Sequence, residues 1–197
     1  AAESDSSSRQ LARFIDYVAQ REQLGLKPVL VLRPDRFLRG GDHSAFNEAG
    51  FPAVRFTTVH EDYSRQHQNV TQRDGKPYGD VESFVNEGYL GAVARLNLAS
   101  LVHLANSPAV PGRVRVITAA IDHETLLRWD PVNDTDVAGY EIVWRDTTDW
   151  QWRQVLDVGL RTEAQLPLNK DNVFLGVRSY DKDGYRSPVG FAVDAKD

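Results

Sequence analysis

The hydrophobic periodicity of this chain changes at Ser107-Pro-Ala-Val-Pro-Gly112, and that change constrains the fold more than any other feature. Two prolines and a glycine so close together stop a helix or a strand, because proline removes a backbone donor and fixes φ. Before the break, apolar residues recur every three to four positions, as on one face of a helix. After it they recur every second position, as on one face of a strand. Strand candidates follow at 114–118, 125–129, 139–144, 152–156, 162–168, 173–180 and 189–193, separated by turn residues. Seven short strands within residues 113–197 predict an antiparallel sandwich.

The first half reads differently. Ser7 with Gln10 fits a capping box, and Leu11, Phe14, Ile15 and Val18 repeat at helical spacing until Gly25. Pro28-Val-Leu-Val-Leu-Arg33 is a continuous apolar run, as expected of a parallel strand covered on both faces. Asp42 can cap a short helix around 43–49 that Gly50 closes, and Pro52-Ala-Val-Arg-Phe-Thr57 supplies a second strand. Residues 83–105 read as a long helix through Phe84, Leu90, Val93, Leu96, Leu101 and Leu104, with Arg95, Asn97 and Ser100 too frequent for a membrane span. The order α-β-α-β-α, without a hairpin signal, predicts a partial doubly wound α/β sheet. The expected organisation is therefore an α/β portion at 1–106, a linker at 107–112 and a separable all-β sandwich at 113–197.

Composition narrows the chemistry. Cysteine is absent, which excludes disulfides and thiolate zinc sites and leaves imidazole and carboxylate as metal ligands. The chain carries 23 basic and 28 acidic residues, a formal net charge of −5, with no basic run that would track phosphates, so nucleic acid is excluded as a partner. Methionine is also absent. Residue 1 is thus expected not to be a translational start, and the chain is expected to be part of something longer. Its first residues lack the positive and apolar regions of a signal peptide.

Residues 36–67, RFLRGGDHSAFNEAGFPAVRFTTVHEDYSRQH, are expected to place a Gly-Gly-Asp-His turn, a short helix, a buried strand and a histidine-ending polar loop in succession. That order resembles the di-zinc aminopeptidase family, whose relatives include bacterial aminopeptidases, glutaminyl cyclases and the catalytically silent transferrin receptors. The resemblance implies zinc, two ions in a complete domain, with His67 as ligand to one. It implies that the remaining ligands and the glutamate base lie upstream, in an amino-terminal remainder of the peptidase domain that this chain would need as its partner. It also implies supporting roles beside the metal for Asp42 and His43. Asp42 has a second reading as a helix cap, and His43 as a structural residue. Tyr63, as a phenolic donor, and Arg39, as a carboxylate anchor, are candidate substrate-binding residues for a peptide, with a surface position as the alternative for each. Where the family often continues the ligand with His-Thr and an aspartate, this sequence has Gln66-His67-Gln68-Asn69.

The second half resembles a fibronectin type III module through Leu127-x-Trp129-Asp-Pro131, Gly139-Tyr-Glu-Ile-x-Trp-Arg145, Leu166 and Val177-x-Ser-Tyr-Asp-x-Asp-Gly-x-x-Ser-Pro188. Register puts Val173 where that family usually carries a corner-tying tyrosine, so the corner is expected to be held in another way. Asp181-Lys-Asp183-Gly184 predicts a tight turn, not a calcium loop. Trp129 is expected in the core, with Trp144 and Trp152 packed across neighbouring strands, although the tryptophans could also form a carbohydrate-stacking surface. Asn69-Val-Thr71 and Asn133-Asp-Thr135 match the glycosylation triplet. Together the resemblances imply part of a zinc aminopeptidase, inactive by itself, with a non-catalytic peptidase-like protein or a binding module acting through the sandwich as the alternatives. A periplasmic or secreted location is expected.

Overall fold

The computed structural model describes residues 5–32, 40–118 and 123–195. Helix α1, Ser7–Arg21, starts one residue earlier than its capping pattern indicates: Ser6 is the N-cap, and its hydroxyl accepts from the Arg9 backbone N–H at 3.4 Å. Gln10 is consequently not part of a cap. Phe14, Ile15, Val18 and Ala19 are buried, as the periodicity requires. Helix α3, Glu87–Asn106, is capped by the Asn86 side chain, which accepts from the Tyr89 N–H at 2.9 Å. The two helices enclose a small apolar cluster of Ile15, Ala19 and Leu96, with Leu11, Leu24, Leu26 and Val54 around it.

The two strands expected in this half do not form. Residues 28–32 and 52–57 form neither helix nor strand, and Val29 and Val31 are 63% and 57% exposed. A strand is stable only when a neighbour takes its backbone N–H and C=O groups, and the described residues supply no such neighbour. Among the described residues there is therefore no doubly wound sheet. A hairpin appears where none was expected: β1, Thr71–Arg73, pairs antiparallel with β2, Lys76–Tyr78. Asp74 and Gly75, at φ 51° and 73°, supply the left-handed pair that such a two-residue turn demands. Leu90, Leu98 and Leu101 on α3 are 60%, 63% and 64% exposed, so one side of this helix is uncovered. No helix among the described residues is long and apolar enough to cross a membrane.

The second half is a sandwich of two four-stranded sheets. One has the order β10-β3-β4-β7, with β3 Arg115–Ile117, β4 Thr125–Arg128, β7 Glu163–Leu166 and β10 Val193–Ala195. The other has the order β6-β5-β8-β9, with β5 Val137–Asp146, β6 Gln154–Gly159, β8 Val173–Asp181 and β9 Gly190–Phe191. Pairing is antiparallel except between β10 and β3, where the last strand crosses to the other sheet. The core comprises Val114, Leu127, Trp129, Tyr140, Ile142, Val158, Leu166, Leu175, Val177 and Ala192. Trp129 meets Tyr140 edge-on, with ring centroids 5.8 Å apart, and the Tyr140 hydroxyl accepts from the Val132 N–H at 2.8 Å.

The corner lacking a tyrosine is held from two sides. The Asn169 side chain accepts from the Asp171 N–H at 2.9 Å, capping a short 3₁₀ turn, and the buried Thr125 hydroxyl donates to the Leu168 carbonyl at 2.7 Å. Asp181–Gly184 forms the expected turn, with Gly184 at φ 85° and the Asp181 carboxylate accepting from the Tyr185 N–H at 2.8 Å. Trp144 and Trp152 are not a cross-strand pair. Trp144 packs on the sandwich core, whereas Trp152 lies under α1 and donates to Gln10 Oε1 at 3.1 Å. The segment expected as a linker is tied to the sandwich: the Ala109 N–H donates to Asp134, and the Ala109 carbonyl accepts from the Ser179 hydroxyl, both at 2.7 Å.

Candidate functional site

Helix α2, His43–Glu48, ends in a motif that its sequence favours. Gly50 takes φ 87°, its N–H donates to Asn47 O at 3.0 Å, and the Phe51 N–H reaches back to Phe46 O at 2.9 Å. At the other end Asp42 occupies the N-cap position, but its carboxylate accepts no capping hydrogen bond, because its backbone is already helical at φ −59°, ψ −26°. Its expected role as a cap is thus not realised, and the side chain is exposed. His43 is half-buried, with its ring over the Gly41 backbone and beside the Arg55 stem. Arg55 in turn donates to the Gly40 carbonyl at 3.0 Å, so the 52–57 segment is laced to the turn before α2. Arg39 lies outside the described residues.

His67 sits at the end of a loop that its neighbours hold in shape. It takes a left-handed backbone, φ 53°, and is exposed. Its N–H donates to the Asp80 carboxylate at 3.1 Å. The β1–β2 hairpin makes that contact possible, since it returns the chain so that the Gly79 N–H donates to Ser64 O at 2.9 Å. Gly79 is required there: its φ is +101°, and a Cβ would come within 2.6 Å of Asn69 O. Upstream in the loop, Glu61 accepts from Gln66 Nε2 at 3.1 Å and from the Thr57 hydroxyl. Asp62 accepts from Ser64, and the hydroxyl and N–H of that serine hold the Asp62 carboxyl below its usual range. The Arg65 guanidinium lies 4.4 Å over the Phe84 ring. Tyr63, on the same loop, is 52% exposed.

Asp80, Gly79 and Glu61 are thus the residues that shape the His67 loop, and none of them stands out by residue type. The Asp74-Gly75 dipeptide was the available signal, because it marks a hairpin that folds 79–80 back on 64–67.

Chemically, the loop offers one imidazole and nearby carboxylates. Among the described residues, no three His, Asp or Glu side chains are gathered so that they could hold a metal ion. Zinc takes about four ligands, so these residues do not by themselves fit a zinc ion, and the arrangement alone carries no hydrolytic step.

Similar proteins supply the missing context. No family model matches this chain. It is 45% identical over 187 residues, 95% of its length, to a "Probable zinc metalloprotease" of Pyrenophora tritici-repentis, of which it covers 39%. A protein with the same description from Leptosphaeria maculans is 44% identical over 95% of this chain, which covers 43% of that relative. Another from Pyricularia oryzae is 44% identical, with 38% covered. The chain therefore spans about two fifths of the length of these curated relatives. Among solved structures, the FN1-FN3 domains of chicken CNTN1 match 46% of the chain at 22% identity and a TM-score of 0.37, and an Fn3-like protein from Clostridium thermocellum matches 46% at 11% identity and 0.38.

Proposed function

We propose that this chain is part of a zinc-dependent exopeptidase of aminopeptidase type, which hydrolyses peptide bonds at free amino termini. The observation that carries the reading is the similarity over 95% of the chain to fungal proteins described as probable zinc metalloproteases. In this reading residues 1–106 belong to the peptidase portion and 113–197 form the fibronectin type III-like module. His67 ligates one of two zinc ions in the complete domain, and its backbone is held for that task by Asp80. Asp42 and His43 support the site, while Tyr63 and Arg39 face the peptide. Further ligands and the general base come from sequence outside these residues, and export from the cytoplasm is part of the same proposal. The uncovered leucines of α3 and the exposed Val29 and Val31 support it, since they are surfaces that an additional portion of a peptidase domain would cover.

The test is His67→Ala in the longer protein from which the chain derives. Aminopeptidase activity should fall by more than about a hundredfold, the upper range for residues that merely orient a ligand, with bound zinc reduced and the melting temperature little changed. Kinetics and metal content equal to those of the parent would make His67 an ordinary loop residue.

A further inference from the structure

The sandwich has a second packed face. Along β5, Tyr140 and Ile142 enter the core, so Glu141, Val143 and Arg145 point the other way. Along β8, Leu175 and Val177 enter the core and Phe174, Gly176 and Arg178 point away. On an isolated module this outer face meets water. Here Val143, Arg145 and Glu141 are 0%, 3% and 6% exposed, and α1 packs against β9 of the same sheet.

The contacts under α1 are specific. Arg145 stacks 4.3 Å over Phe174 and 5.2 Å over Trp152, and donates to Asp5 Oδ1 at 2.7 Å. Arg13, from α1, donates through Nε to the Trp150 carbonyl at 2.5 Å and lies 3.9 Å from the same Asp5 oxygen. Gln151 Nε2 donates to Asp16 Oδ2 at 2.9 Å and to the Arg13 carbonyl at 3.2 Å. With the Trp152–Gln10 bond, these contacts fall on positions 10, 13 and 16, one stripe of the helix. Farther along, Arg21 donates to the Gly184 carbonyl at 2.8 Å, and Arg178 lies 5.0 Å from the Tyr17 ring. Burial, with the like charge of Arg145, lowers Arg13 to about 10 against the pull of Asp5. Two guanidiniums and two carboxylates, Arg13, Arg145, Asp5 and Asp16, are thus taken out of water together. A buried charge without its partner is strongly destabilising, and here the partners come from both halves of the chain. One more link runs onward from α1: the Ser8 hydroxyl donates to Asn47 Oδ1 at 2.7 Å and accepts from the Ala53 N–H at 3.1 Å.

We infer that the sandwich serves as a brace inside its own protein: its cation–aromatic face is an interaction surface for the polar stripe of α1, and through Ser8 it steadies the α2 segment. This inference stands independently of the peptidase reading. It removes Trp152 and its neighbours from the surface open to a carbohydrate or a protein partner.

The experiment is hydrogen–deuterium exchange on the 197-residue chain, comparing the parent with Arg145→Gln and with Gln151→Ala combined with Trp152→Phe. The second variant leaves the sandwich core untouched and covers the case in which Arg145→Gln fails to fold. In it, exchange should accelerate by about tenfold or more in α1 and in residues 43–53, as expected for losing several hydrogen bonds, while β4, β5 and β8 stay protected. Unchanged exchange in α1 would overturn the brace, and faster exchange in α1 with none in 43–53 would overturn the link to α2.

Discussion

At Thr125 a single hydroxyl helps to hold the corner that Val173 cannot tie. The side chain is fully buried, and its hydroxyl donates to the Leu168 carbonyl just before the 3₁₀ turn at Lys170–Asn172. Replacing it with valine keeps shape and volume but leaves that carbonyl without its donor, which costs about 1–3 kcal/mol in a buried site. Chemical denaturation of Thr125→Val should show this loss, and a midpoint equal to the parent's would mean that Asn169 alone holds the corner. The sequence indicated only that Val173 could not. It could not indicate the substitute, because Thr125 and Leu168 lie 43 residues apart and meet only through the pairing of β4 with β7, in which Thr125 stands opposite Leu166.

The pair β5 and β8 shows how an element can carry two cores. Its inner positions follow the alternation legible in the sequence, whereas its outer positions hold Glu141 between Arg178 and Arg186, at 2.7 Å and 2.8 Å. Burial would raise the Glu141 carboxyl, but the hydrogen bonds and charges of Arg186 and Arg178 outweigh it and hold the group below the ordinary glutamate range. Because the folded carboxyl is the stronger acid, its contribution to stability is complete above about pH 4.3, the unfolded value. It is lost as pH falls through the lower folded value. Glu141→Gln should therefore be less stable than the parent near neutrality and show a shallower decline in acid. Urea midpoints followed from neutral to acidic pH check this, and parallel declines in both proteins would assign the acid sensitivity to other carboxylates.

For the whole molecule, the proposed site and the uncovered surfaces lead to one expectation. Purified alone and supplied with zinc, the chain should not hydrolyse aminoacyl anilides or dipeptides, since one loop histidine cannot hold two metals and the proposed reading puts the general base outside these residues. Turnover that vanishes with chelator and returns with zinc would contradict this. The same arrangement sets the stability of the two halves. The cluster of Ile15, Ala19 and Leu96 is small, and α1 gains further burial from the sandwich, so the helical half should depend on the all-β half more than the reverse.

Sequence by itself determined what is local. Period two after Gly112 and period three to four before it are properties of neighbouring residues, and they were enough for the helices, most strand positions of the sandwich, the burial of Trp129 and the turn at Asp181–Gly184, though not for the division of the expected 189–193 strand into β9 and β10 of different sheets. The motif around His67 likewise sits in consecutive residues, so the polar loop and its place after α2 were legible. Tertiary structure alone decided what depends on partners distant in sequence. Val29 and Val31 carry a strand pattern but find no ladder among the described residues, because pattern supplies side chains and not the second backbone a strand requires. Trp152 and Gln10 are 142 residues apart, and no periodicity relates them. Only the folded chain shows that a residue with the look of a cap and a tryptophan with the look of a cross-strand neighbour meet in one buried seam between the two halves.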